Sequence, residues 1–213
     1  MATNIESRNS KLGPVVVKAL KSRFFDAWYF DKAEEAIEAI VSAIPKDHLV
    51  SWGGSTTVAG LGIQARLEKD GYKLLDRDKA TSPEERVKFM REALLCDTYL
   101  AGTNAISEDG ELVNVDGNGN RVAAMTYGPK QVIVVAGINK VVKTLEDATT
   151  RARTFAAPIN VQKFPNFKTP CNEAGKCENC KSPDSICSFI VTTRLCRPAG
   201  RIKVFLIGDV LGF

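Results

Sequence analysis

Four of the six cysteines, Cys171, Cys177, Cys180 and Cys187, fall within 17 consecutive residues of this 213-residue chain. Their spacing, C-x5-C-x2-C-x6-C among Gly, Asn, Lys and Pro, suits a loop wrapped around one inorganic centre. Thiolates bind soft or borderline ions, and an ion can order a segment too poor in apolar side chains to fold alone. An iron–sulfur cluster, the four-iron form included, takes four cysteines at irregular spacing. A structural zinc takes the same four in a closed tetrahedron. One C-x2-C pair rather than two leans toward the cluster, with zinc and unliganded or redox thiols left open. Cys196 is a candidate spare ligand, whereas Cys96, beside a strand pattern, reads as a small buried hydrophobe.

Two polar turns carry the remaining chemistry. Gly53, Gly54, Ser55, Thr56 and Thr57 lie between a strand pattern and a helix pattern, where amides and hydroxyls can cradle phosphate or carboxylate. The segment is neither a Walker loop nor a G-x-G-x-x-G, and a plain strand–helix turn capped by Ser or Thr explains it as well. Gly102, Thr103 and Asn104 follow another strand, at the end where open α/β sheets bind ligands. The Asp/Asn/Gly-rich ribbon beyond them adds Asn118, Asn120 and Arg121 as candidate ligand contacts, with Asn114 and Asp116 nearby; a turn-rich hairpin is the simpler alternative. The single histidine, His48, stands at a strand start and reads as structural, so no Ser/His/Asp or Cys/His nucleophilic set can be assembled.

Positioning these groups calls for alternating strands and helices. Helices are expected over 14–25, over 33–44 (capped by Asp31, closed by Pro45), from 55 to about 71, from Ser82-Pro83-Glu84-Glu85 onward, and from an Asn139 cap to about Phe155, stopping before Pro158. Strands are expected over 27–30, 48–52, 72–75, 96–101, 131–136 and 201–208, with a hairpin or ribbon around Leu112–Val115. The fold class is therefore α/β. Residues 1–213 read as a single domain containing a Cys/Pro-rich insertion over 158–198, which has little periodicity and needs something other than a core to hold it.

The bulk numbers exclude several classes of function. The net charge is 29 − 25 = +4, with the basic residues scattered rather than gathered into a stripe, so nucleic acid is not expected as a partner. No apolar run is long enough to span a membrane, and the N-terminus lacks a secretory pattern, so cytoplasm is the expected location. In that reducing compartment, six cysteines fit metal or thiol chemistry better than disulfides.

SWGGSTT at 51–57, GTNAISEDGELVNVDGNGNRVAA at 102–124, YGPKQVIVVAGINKVV at 127–142 and RIKVFLIGDVLGF at 201–213 together resemble the LUD, or lactate-utilisation, domain family over nearly the whole chain. The chain looks like its short form carrying a PCNEAGKCENCKSPDSIC insertion. The resemblance implies a parallel-rich sheet with helices on both faces, of the sugar-phosphate isomerase and CoA-transferase-like class. The 102–121 stretch is also similar to methylthioribose-1-phosphate isomerases and related initiation-factor subunits, in which an aspartate helps to move a proton. Asn104 stands at that position here and cannot act as an acid or base. The family implies a subunit or accessory of lactate-type oxidation, with an iron–sulfur oxidoreductase partner and a small carboxylate or phosphorylated metabolite as ligand. A sugar-phosphate or acyl-CoA enzyme with structural zinc, and a non-catalytic metabolite sensor, are the alternatives.

Overall fold

The structure, a computed structural model, describes residues 3–213. Helix α1 (Asn4–Ser22) is followed by β1 (Asp26–Phe30), α2 (Ala33–Ser42), β2 (Leu49–Trp52), the short helices α3 (Thr56–Gly60) and α4 (Ile63–Lys69), and β3 (Lys73–Leu75). Then come α5 (Pro83–Glu92), β4 (Thr98–Ala101), β5 (Ala105–Ser107), β6 (Leu112–Asp116), α6 (Asn120–Thr126), β7 (Gln131–Gly137) and β8 (Val141–Val142). The chain ends with α7 (Leu145–Arg151), α8 (Ala157–Val161), α9 (Pro170–Ala174), β9 (Phe189–Thr193) and β10 (Ile202–Ile207).

Six strands form one sheet in the order β1-β10-β7-β4-β2-β3, and every pairing in it is parallel. A parallel sheet covered on both faces needs continuous apolar strands, which β7 (QVIVVAG) and β10 (IKVFLI) supply. Successive residues point to opposite faces. Val132, Val134 and Ala136 therefore pack with Val16 and Leu20 of α1 and Met125 of α6, while Ile133 and Val135 pack with Ile40 of α2 and Ile63 and Leu67 of α4. The expected α/β class, a parallel-rich sheet with helices on both faces, is what the chain adopts.

The predicted ribbon grows into a second sheet, β8-β5-β6-β9, in which β6 is antiparallel to both β5 and β9. Strand β9 lies inside the Cys/Pro-rich stretch, so that stretch is stitched to the body by backbone hydrogen bonds along β6.

Several expected boundaries move, each for a local or a distant reason. Helix α1 starts at Asn4 rather than Pro14, because Thr3 and Glu6 form a capping box; Pro14 sits inside the helix. The predicted Asp31 cap is absent, and Lys32 takes the cap position without a side-chain bond. Asp209 instead accepts the Ala33 amide at 3.0 Å from 176 residues away. Gly62, with φ of 65°, divides the helix expected over 55–71 into α3 and α4. Asn139 caps nothing, since Thr144 and Asp147 form the capping box of α7. Helical structure then runs on through Pro158 to Val161, by way of a π-turn over 152–156 that redirects the backbone hydrogen bonds ahead of the proline.

Candidate functional site

A cavity of about 700 Å³ opens where β2, β4 and β7 end, with a wall contributed by residues 183–186. Its floor is two facing turns. A Cβ on Gly102 would lie 2.7 Å from Ser55 Oγ, so this close approach requires a residue without a side chain. Ser55 is held in turn by capping α3, accepting the Val58 amide at 3.2 Å.

Five basic side chains, Arg77, Arg86, Arg121, Lys140 and Lys163, line the cavity, against two carboxylates, Asp116 and Asp184. Both carboxylates are engaged. Asp116 accepts from Arg121 at 2.7 Å and from the Val122 amide at 2.9 Å, and Asp184 accepts the Lys168 amide at 2.9 Å. Arg121 is committed as well: it bonds Asn104 Oδ1, Asn114 Oδ1 and the carbonyls of Gly102 and Val115, tying β6 to the end of β4. Arg77 differs. Its Nε is buried without a hydrogen-bond partner, its nearest carboxylate contact is Asp78 at 3.7 Å, and one of its terminal nitrogens hangs directly over Gly54.

Lys140 sits deepest, 4% exposed, and its Nζ meets Thr57 Oγ1 at 3.0 Å. None of the salt bridges among the described residues involves it. Burial, followed by the positive charges of Arg151, Arg121 and Lys163, pulls its pKa down to about 7. Lys163 donates to Thr56 Oγ1 at 2.6 Å, and its own pKa is lowered by burial and by Arg77. The segment after β10 closes this corner: Asn139 Oδ1 accepts the Leu211 amide at 3.1 Å, and Phe213 lines the cavity beneath the Lys163 ammonium.

Of the residues singled out in sequence, Gly54, Ser55, Thr56, Thr57, Gly102, Thr103, Asn104, Asn118, Asn120 and Arg121 come together on this cavity. Gly53 lies behind it, against Tyr99 and the Arg121 stem. Thr103 spends its hydroxyl on the carbonyls of Ala105 and Val113, and Asn104 Oδ1 accepts from Val115 N and Arg121. Arg77, Lys140 and Lys163 escaped sequence reasoning. Arg77 sits in a charged turn and Lys140 and Lys163 each adjoin apolar residues, and no local spacing distinguishes any of them from a surface cation. His48 is structural as expected, its Nδ1 2.8 Å from Thr98 Oγ1.

The four clustered cysteines are half-buried, with Cys171 on α9 and the rest in the loop leading to β9. The Cys187 thiol is pushed up to about 11, first by burial and then by the charges of Cys171, Cys177 and Cys180, which identifies all four as electrostatic neighbours. Among the described residues no group of three or more His, Cys, Asp or Glu is arranged so that it could hold a metal ion, the four cysteines included. Cys196 does not belong to this group: it is buried in the core, where its sulfur meets the Pro198 carbonyl and the Ile202 amide, each at 3.2 Å. Cys96 is also buried, its thiol pushed up to about 12 by desolvation. The cysteine loop and the cavity share a wall, since Pro183–Ile186 line the cavity and the backbone at Ser185–Ile186 passes over Gly117.

The family profile of the LUD domain matches residues 14–207. A curated relative, lactate utilization protein B of Oceanobacillus iheyensis, is 32% identical over 130 residues. That match covers 58% of this chain and 26% of the relative, so the chain spans about a quarter of that protein's length. Among solved structures, a DUF162 family protein from Deinococcus radiodurans superposes with a TM-score of 0.55 at 14% identity, covering 94% of this chain and 98% of that one. Ribose 5-phosphate isomerase A from Neisseria gonorrhoeae gives a TM-score of 0.33 at 17% identity, over 53% of this chain and 52% of that one.

Proposed function

Because this chain belongs to the LUD domain family, we propose that it serves lactate-type metabolism and holds a small 2-hydroxy or 2-oxo acid in the cavity at the carboxyl end of its parallel sheet. The observation that carries this reading is the excess of basic over acidic groups lining the cavity, with the Arg77 guanidinium lacking a hydrogen-bond acceptor for its buried Nε. A desolvated arginine without a protein acceptor is costly unless an anion completes it. The name of the curated relative, lactate utilization protein B, supports a carboxylate as that anion.

Cys171, Cys177, Cys180 and Cys187 supply the donor set for a metal centre in the same reading. Thiols are the groups a bound cation turns into thiolates, and burial followed by the three neighbouring cysteines holds the Cys187 proton most tightly until one does. An iron–sulfur centre held there would supply one-electron transfer beside the cavity, and zinc would supply only structure. The wall shared with the cavity gives this placement its interest. An iron–sulfur oxidoreductase is the corresponding partner.

A second reading, a phosphorylated ligand, is favoured by the cavity volume of about 700 Å³, which exceeds what a three-carbon acid fills. Calorimetric titration of the purified chain with lactate, pyruvate, inorganic phosphate and a sugar phosphate distinguishes the two. Saturable binding of lactate or pyruvate supports the first. Binding of phosphate compounds with no response to either acid replaces it with the second. Metal analysis with an optical spectrum on oxygen-free protein tests the cysteine centre: visible absorbance with bound iron supports the cluster, and colourless protein with one zinc removes electron transfer.

A further inference from the structure

Lys140 is a lysine without a counter-ion, 4% exposed, on the wall of an otherwise cationic cavity. Its one hydrogen bond is to the Thr57 hydroxyl, which also lies 3.5 Å from the Leu211 carbonyl. The charged groups acting on it are Arg121 of α6, Arg151 of α7 and Lys163 beyond α8, all positive. Desolvation and neighbouring cations are the two conditions that keep a lysine amine unprotonated and nucleophilic. Lys140, Lys163 and Arg77 line one cavity, with Lys140 Nζ on Thr57 and Lys163 Nζ on the adjacent Thr56, so the amine shares its space with the cations suited to a carboxylate.

Resting on the carboxylate reading of the cavity, we propose that Lys140 is a catalytic nucleophile that forms an imine with the carbonyl carbon of a 2-oxo acid whose carboxylate lies against Arg77 and Lys163. The amine nitrogen adds to the carbonyl carbon and the carbonyl π electrons move to oxygen, which takes a proton from nitrogen. The nitrogen lone pair then closes the C=N bond as the oxygen departs, and the two amine protons leave with it as water. No oxidant or reductant is required. The Thr57 hydroxyl, 3.0 Å from the amine, is placed to pass the proton between nitrogen and oxygen. A 2-hydroxy acid has no carbonyl, so it occupies the same site without reacting.

Borohydride trapping tests this directly. The chain is incubated with pyruvate and sodium cyanoborohydride, digested, and mapped by mass spectrometry, with pyruvate binding measured separately by calorimetry. The expected product is an N-(1-carboxyethyl) adduct on Lys140, enriched roughly tenfold over any exposed lysine, suppressed by excess lactate and lost in Lys140→Met. Lys140→Gln keeps a neutral polar side chain beside Thr57 and should bind pyruvate without forming the adduct, which separates loss of chemistry from loss of fold. Thr57→Val should slow trapping without moving the adduct elsewhere. Measurable pyruvate binding with adducts scattered equally over exposed lysines, in wild type and Lys140→Met alike, overturns the imine while leaving the carboxylate site standing. Absence of pyruvate binding overturns both.

Discussion

Replacing Lys140 by Met should remove a specific pH dependence of folding. The lysine is 4% exposed and its pKa falls from 10.5 to about 7 in the folded chain, mainly through burial. Between those values the unfolded chain binds the extra proton and the folded chain does not, so wild-type stability rises with pH across the window. The penalty is fully present below about pH 7 and is relieved as pH climbs toward the unfolded value. A tenfold change in proton affinity corresponds to about 1.4 kcal/mol, so wild type should gain about 2 kcal/mol between roughly pH 7 and pH 9. Methionine occupies a similar volume and cannot titrate. Urea unfolding at intervals across that range, for both proteins, should show the difference between their free energies changing by about this amount. The Cys187 thiol, raised to about 11, titrates above the window and is present in both proteins. Parallel profiles would refute the argument, because they would mean that water or a counter-ion reaches the amine and keeps it an ordinary ammonium.

Two further predictions separate the cavity's arginines. Arg77→Gln removes a guanidinium with an unpartnered Nε and should weaken binding of the anion by about tenfold in calorimetry, while the urea midpoint stays close to wild type. Arg121→Met does the reverse: it leaves Asp116, 11% exposed, without its ion pair and unties β6 from the end of β4, and should destabilise the fold by about 3 kcal/mol in urea whatever ligand is present.

The two arginines also show where sequence reading stops. Arg121 is legible because it ends a polar ribbon of distinctive composition, yet its task is internal: it takes up the Asn104 and Asn114 oxygens that the sequence alone would offer to a substrate. Lys140 follows an apolar strand in the segment Ile138-Asn139-Lys140, where a helix start is the natural expectation. Its burial arises because Thr57 and the Leu211–Gly212 backbone close around it, from positions about 70 to 80 residues away in the chain.

What the sequence determined alone is what a few adjacent residues can encode. The apolar runs of β7 and β10 required a sheet covered on both faces, and Ser82 with Glu85 started α5 where expected. The spacing of Cys171, Cys177, Cys180 and Cys187 placed four thiols within one short stretch of chain. The strand order β1-β10-β7-β4-β2-β3 decided the rest. It brings Asp209 to the start of α2, Cys196 into the core, and Arg77, Lys140 and Lys163 to one cavity. Such contacts join distant positions whose pairing is fixed by how strands lie beside one another, and neither periodicity nor capping within a short window carries that information.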